Sequence, residues 1–141
     1  MYTKLLLATL AGGVAAFLFG YLFFGILLAD FYATNVTSYE GLIKDPPNLF
    51  MIFVSNLLLS FLIAYIFSRW AGIGSAAQGA QAGFIIVGLI TISIDVFQFA
   101  TLNLFSPLFI AVDTVCNAIF GAVVGSVTGF VLGTGKKVVT V

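Results

Sequence analysis

"SPLFIAVDTVCNAIFGAVVGSVTGFVLG", residues 106–133, decides how this chain is read. Ser106 can cap a helix, and Pro107 can take its first position, where a missing N–H costs no hydrogen bond. The apolar stretch beyond them exceeds the roughly 20 residues a helix needs to cross a bilayer. Polar and small residues interrupt it in one register: Asp113, Asn117, Gly121, Gly125, Gly129 and Gly133 recur at every fourth position. Each step of four advances about 40° around a helix, so the row winds through about 200° as a wrapping groove with a polar end. In lipid, where apolar burial drives no association between helices, such small-residue rows let backbones approach closely.

Three further apolar runs complete the pattern, and the composition agrees: 62% hydrophobic against 7% charged residues in 141. Such a balance lies far outside that of soluble domains. The chain reads as an all-α membrane protein, a four-helix transmembrane bundle in one domain spanning 1–141. Helices are expected over about 5–29, 46–70, 76–102 and 107–132, with an outer loop over about 31–45. The first run exceeds the apolar core of a signal peptide and reads as a retained helix. Asp45 and Pro46 offer the second run a cap and a first helical residue, and Arg69 with Trp70 close it as an interfacial pair. Lys4, Arg69, Lys136 and Lys137 all fall on one side of a four-crossing chain, so both termini are expected in the cytoplasm and the protein in the cell inner membrane.

Composition also narrows the chemistry. Net charge is zero, so there is no basic face for nucleic acid, and the expected partner is the lipid bilayer. With no histidine and a single cysteine, Cys116, no metal site or cofactor is expected and no internal disulfide can form. Cys116 reads as a small packing residue. The outer loop carries "NVT", a three-residue match to a glycosylation acceptor.

Helix one has a small-residue row of its own, Ala8, Gly12, Ala16 and Gly20, and helix three a shorter one, Ser75, Gly79 and Gly83. Helix two shows none, so its bulky faces are expected to meet lipid. Helices three and four should form a tight hairpin, with helix one packed on the glycine groove. The rows can hold one chain together or serve as a homo-oligomer surface, as the glycine zippers they resemble do.

Asp95 and Asp113 need the most explanation. An ionisable group in the hydrocarbon region costs about 2.5–3.5 kcal/mol on insertion scales and faces a bundle interior or a wet cavity. Asp95 lies nine residues before Leu104 and Asp113 nine after, so both sit about 13 Å from a hairpin apex there. Gln81, Gly88, Thr91, Asp95 and Gln98 share a polar arc of helix three, Asn117 lies one turn beyond Asp113, and Asn56 with Ser60 can add donors from helix two. No Lys, Arg or His accompanies the acids at that depth, so the two cannot both ionise cheaply. They share a proton, or a cation or water enters between them. Asp95, Asp113, Asn117, Gln98, Thr91 and Asn56 are therefore the candidate proton or ion site. A neutral Asp95 bonded to Thr91, Gln98 or Asn56 as a packing device is the alternative, and Asp30, at the outer end of helix one, reads as solvated.

In layout the chain, with "AGGVAAFLFGYLFFGIL" near its start and "VDTVCNAIFGAVVGSVTGFVLG" near its end, resembles small four-helix bacterial membrane proteins of unknown function. That resemblance implies the fold and no activity. Locally, "SPLFIAVDT" is similar to the lipoprotein signal peptidases: Pro107, Phe109, Asp113 and Thr114 stand as around that family's second catalytic aspartate, with Asp95 upstream. The family's Asn and Asp-Arg motif before the first acid is replaced by "GLITISID", and Ile110 stands where it has Asn. Three readings stay open: a structural or accessory membrane component with a glycine-lined helix interface, a proton- or cation-linked transport element, and an intramembrane aspartyl peptidase in which Asp95 and Asp113 would be catalytic.

Overall fold

The computed structural model describes residues 2–134. Lys136 and Lys137, which contributed to the expected orientation, lie outside the described residues. Helix α1 (Tyr2–Leu22) runs into a π-helical turn at Phe23–Leu27, and a short α2 (Ala29–Asn35) follows. Then come α3 (Leu49–Ile66), a second π-helical turn at Phe67–Ala71, α4 (Ala76–Thr101) and α5 (Pro107–Gly133). Four of these units are long and apolar enough to cross a membrane: Tyr2–Leu27, Leu49–Ala71, Ala76–Thr101 and Pro107–Gly133. The fold is thus an all-α bundle of four membrane-length helices, and the described residues contain only an isolated bridge, Val36 with Phe105, in place of a sheet.

Local chemistry sets the helix ends. At α5, Ser106 Oγ accepts from the Phe109 amide at 3.0 Å, with Pro107 in the first turn. Ser75 does the same for α4, accepting from Gln78 N at 3.3 Å. The start of α3 differs from expectation. It begins at Leu49, and its cap is Asn48, whose Oδ1 accepts from Met51 N at 3.1 Å. Pro47 disfavours helical backbone at the residue before it, which keeps Pro46 out of the helix and hands the cap to the next polar side chain. The first run also divides sooner than expected. Leu28, at φ −104° and ψ 2°, leaves the helix, so Ala29 and Asp30, read as the outer end of helix one, instead open α2, which continues to Asn35 inside the expected outer loop.

Helix α5 is the hub. Half of its most apolar window is buried, against 17–22% for the other three spans. One of its faces takes α4 and the other takes α1, while α3 packs mainly on α1. In the α4–α5 hairpin the backbones meet glycine to glycine: a Cβ on Gly79 would overlap the Gly125 carbonyl, one on Gly83 the Gly121 carbonyl, and the reverse substitutions clash in the same way. Gly129 and Gly133 continue the contact against the carbonyls of Ser75 and Gly74. The groove on α5 is therefore filled by α4, which corrects the expectation that helix one would occupy it. Helix α1 instead lies on the neighbouring face of α5, where Ala8, Ala16, Phe120, Val124 and Leu132 join one buried cluster with Ile63, Ala64 and Phe67.

Gly12 sits where α1, α3 and α5 converge, since a Cβ there would strike both Ser60 Oγ and Thr128 Oγ1. Ser60 and Ala64 are fully buried against α1, so α3 does carry a short small-residue row, masked in the sequence by the bulky residues around it. On its other side Phe50, Met51, Leu58, Phe61 and Leu62 are exposed, as a lipid-facing surface requires. Lys4 Nζ donates to the Thr134 carbonyl at 2.5 Å, and Arg69 lies 5.7 Å from the Tyr2 ring. The start of α1, the end of α3 and the end of α5 thus share one end of the bundle.

Candidate functional site

At the opposite end, α2 folds over the α4–α5 hairpin as a cap. Its seat is aromatic: Phe109 stacks on Phe105 at 4.8 Å between ring centres and on Phe31 at 6.5 Å, and meets the Tyr32 ring edge-on at 5.1 Å. Two hydrogen bonds reinforce the seat, one between backbones, Thr37 N donating to Leu104 O at 2.8 Å, and one between side chains, Ser106 Oγ donating to Asn35 Oδ1 at 3.5 Å. Asp30, in the first turn of α2, is exposed.

Under this cap lie both acids. Asp95 on α4 and Asp113 on α5 are 7% and 8% exposed, and the Asp95 carboxyl is close enough to the Asp113 carboxyl and the Thr114 hydroxyl to interact with both. Asp113 is held from two sides. The Tyr32 hydroxyl donates to its Oδ1, while Asn117 Nδ2 donates to its Oδ2 at 2.9 Å and to its backbone carbonyl at 3.0 Å. Asp95 has no comparable support: its Oδ2 and the Thr114 Oγ1 are buried without a hydrogen-bond partner. Burial first, and then the hydrogen bond to Asp113 and its charge, push the Tyr32 phenol well above its ordinary range. Tyr32 is therefore a permanent donor to Asp113 at physiological pH.

Of the other expected site residues, Asn117 belongs to this cluster. Thr91 and Gln98 are half-buried on α4, and the Gln98 backbone carbonyl accepts from Leu102 N at 2.7 Å. Asn56 stands apart on α3, its Nδ2 donating to Ile52 O at 3.0 Å, and meets Asn117 only as a co-lining residue of an open cleft. Tyr32 is the functional residue that sequence reasoning missed. The signal available for it was a phenol two residues after Asp30 in a segment too short to span the membrane, which points to nothing until α2 is docked. Cys116, buried one turn from the acids, is a free thiol, and among the described residues no three His, Cys, Asp or Glu side chains converge as a metal-ligand set.

Chemically the cluster is a pair of carboxyls with two side-chain donors on one partner and, among the described residues, none on the other and no cation paired with either. No family model, curated protein or solved structure matches this chain.

Proposed function

We propose that this chain is a structural or accessory membrane component, inserted in the inner membrane with both termini cytoplasmic, whose buried acid pair latches the outer helix α2 onto the α4–α5 hairpin. The observation that carries this reading is the occupation of Asp113: both carboxyl oxygens accept hydrogen bonds from the chain itself, one of them from α2. A carboxylate held this way is a fastener between elements. The pair keeps one proton, and it resides on Asp95, because the Asp113 oxygens are already accepting while Asp95 has no donor to stabilise a charge. A proton on Asp95 then supplies a donor of its own towards Asp113 or Thr114.

A proton- or cation-linked transport element is the second reading, and it draws on one observation, the unpartnered Asp95 Oδ2 beside Thr114 Oγ1. Liposomes separate the two. Reconstituted protein under an imposed pH gradient should pass protons, sodium and potassium no faster than protein-free vesicles. Flux above that background that Asp95→Asn abolishes would replace the latch reading with the transport reading.

A further inference from the structure

Between the outer halves of α1 and α3 lies an open cleft of about 550 Å³, floored by Asn117 and Phe120 of α5. It is separate from the acid pair, behind Asn117, and its size suits a small-molecule moiety. No charged side chain lines it. Its polar residues are Asn117, Asn56, Ser55 and Tyr21. The Asn117 amide hydrogens are committed to Asp113, the Asn56 amide donates to Ile52 O at 3.0 Å and Ser55 Oγ donates to the same carbonyl at 2.8 Å. The Asn117 amide is left with its oxygen to accept, and Asn56 with its oxygen and one amide hydrogen, beside the Tyr21 hydroxyl. Acyl chains alone would leave these oxygens unpaired at hydrocarbon depth, where each unsatisfied polar group costs several kcal/mol. A charged occupant of either sign would find no counter-charge in the lining. A neutral occupant with a hydroxyl suits this set, donating to the Asn117 and Asn56 oxygens while accepting from the donors that remain. Phe17, Tyr21, Phe24 and Phe120 supply the walls, and Phe24 and Phe120 meet at a 63° interplanar angle, 5.8 Å between centres, a surface suited to a ring.

We infer that this cleft binds a neutral, lipid-soluble phenolic ring, its hydroxyl donating to the amide oxygens of Asn117 and Asn56. This inference does not depend on the latch reading, because it uses Asn117 only through its amide oxygen, which takes no part in the bonds to Asp113. The test is binding of radiolabelled 4-nonylphenol to the protein in phosphatidylcholine nanodiscs, corrected with empty discs, with 4-nonylanisole as a competitor of nearly the same shape that lacks the donor. Saturable binding of one phenol per chain is expected, with the anisole competing about fivefold or more weakly. Asn56→Leu should weaken binding by a similar factor. Gly25→Leu should abolish it by filling the cleft, since a Cβ at Gly25 meets nothing nearer than the Tyr21 ring at 3.7 Å and the fold has room for it. Binding no greater than to empty discs, or an anisole that competes as well as the phenol, would overturn the inference. So would undiminished binding to both variants.

Discussion

Tyr32 carries the largest share of the account for a single residue. Replacing it with Phe removes the donor to Asp113 Oδ1 and leaves a buried acceptor unpaired, which should cost about 1–3 kcal/mol in stability measured by reversible unfolding in mixed micelles. The pH dependence follows from the direction of its shift. A phenol whose folded-state pKa is raised contributes stability that is fully present below the ordinary tyrosine value of about 10 and is lost as pH rises beyond it. Wild-type stability should therefore lose this contribution only in the alkaline range above pH ~10, and Tyr32→Phe should remove that part of the loss. The proton assigned to Asp95 has its own readout, an infrared carboxylic-acid band at neutral pH that Asp95→Asn removes. If that variant leaves the band intact, the proton is elsewhere. Both acids were legible in sequence because Asp95 and Asp113 stand equally far from Leu104, so an antiparallel hairpin brings them level. Tyr32 was not legible, because its meeting with Asp113 depends on a segment 81 residues away folding back over the hairpin.

Among the elements, the α4–α5 hairpin is the most demanding. Its glycines face backbone carbonyls, which cannot swing aside as a flexible side chain can, so the smallest addition forces the helices apart. Gly83→Ala and Gly125→Ala should each destabilise by about 1–3 kcal/mol in the same unfolding measurement, as overpacking does. Gly25→Ala, with open space around its Cβ, should be neutral or stabilising. The periodicity of α5 showed that the groove existed, but not which helix filled it. Rows on helix one and helix three both matched, and only the short connection from α4 to α5 favours the neighbour in sequence. The cap at Asn48 was hidden for a local reason, since Asp45 and Pro46 offer the same signal three residues earlier and only the backbone restriction imposed by Pro47 distinguishes them.

At the scale of the whole molecule, α5 is the axis on which α4 and α1 pack, with α3 joined mainly through α1 and α4 touching little besides α5. The four membrane-length helices were readable because apolar runs of that length have no other stable use. The side-by-side order was not readable, because in lipid the bulky faces carry no preference for a partner. Orientation makes a whole-molecule prediction. In intact cells an impermeant thiol reagent should label a cysteine placed at Lys44, in a Cys116→Ser background, and should leave one at Arg69 unlabelled; the reverse pattern would invert the topology. The fastening of α2 across the bundle makes another, and hydrogen–deuterium exchange of the protein in lipid nanodiscs, comparing wild type with Tyr32→Phe, tests it most directly. The latch predicts that amides of α2 and of Thr37 exchange about tenfold faster or more in the variant, as expected for a loss of about 1.4 kcal/mol in local stability, while α4 and α5 keep their protection. Unchanged exchange in α2 would mean that the aromatic seat alone holds the cap, and would contradict the role assigned to the buried acids.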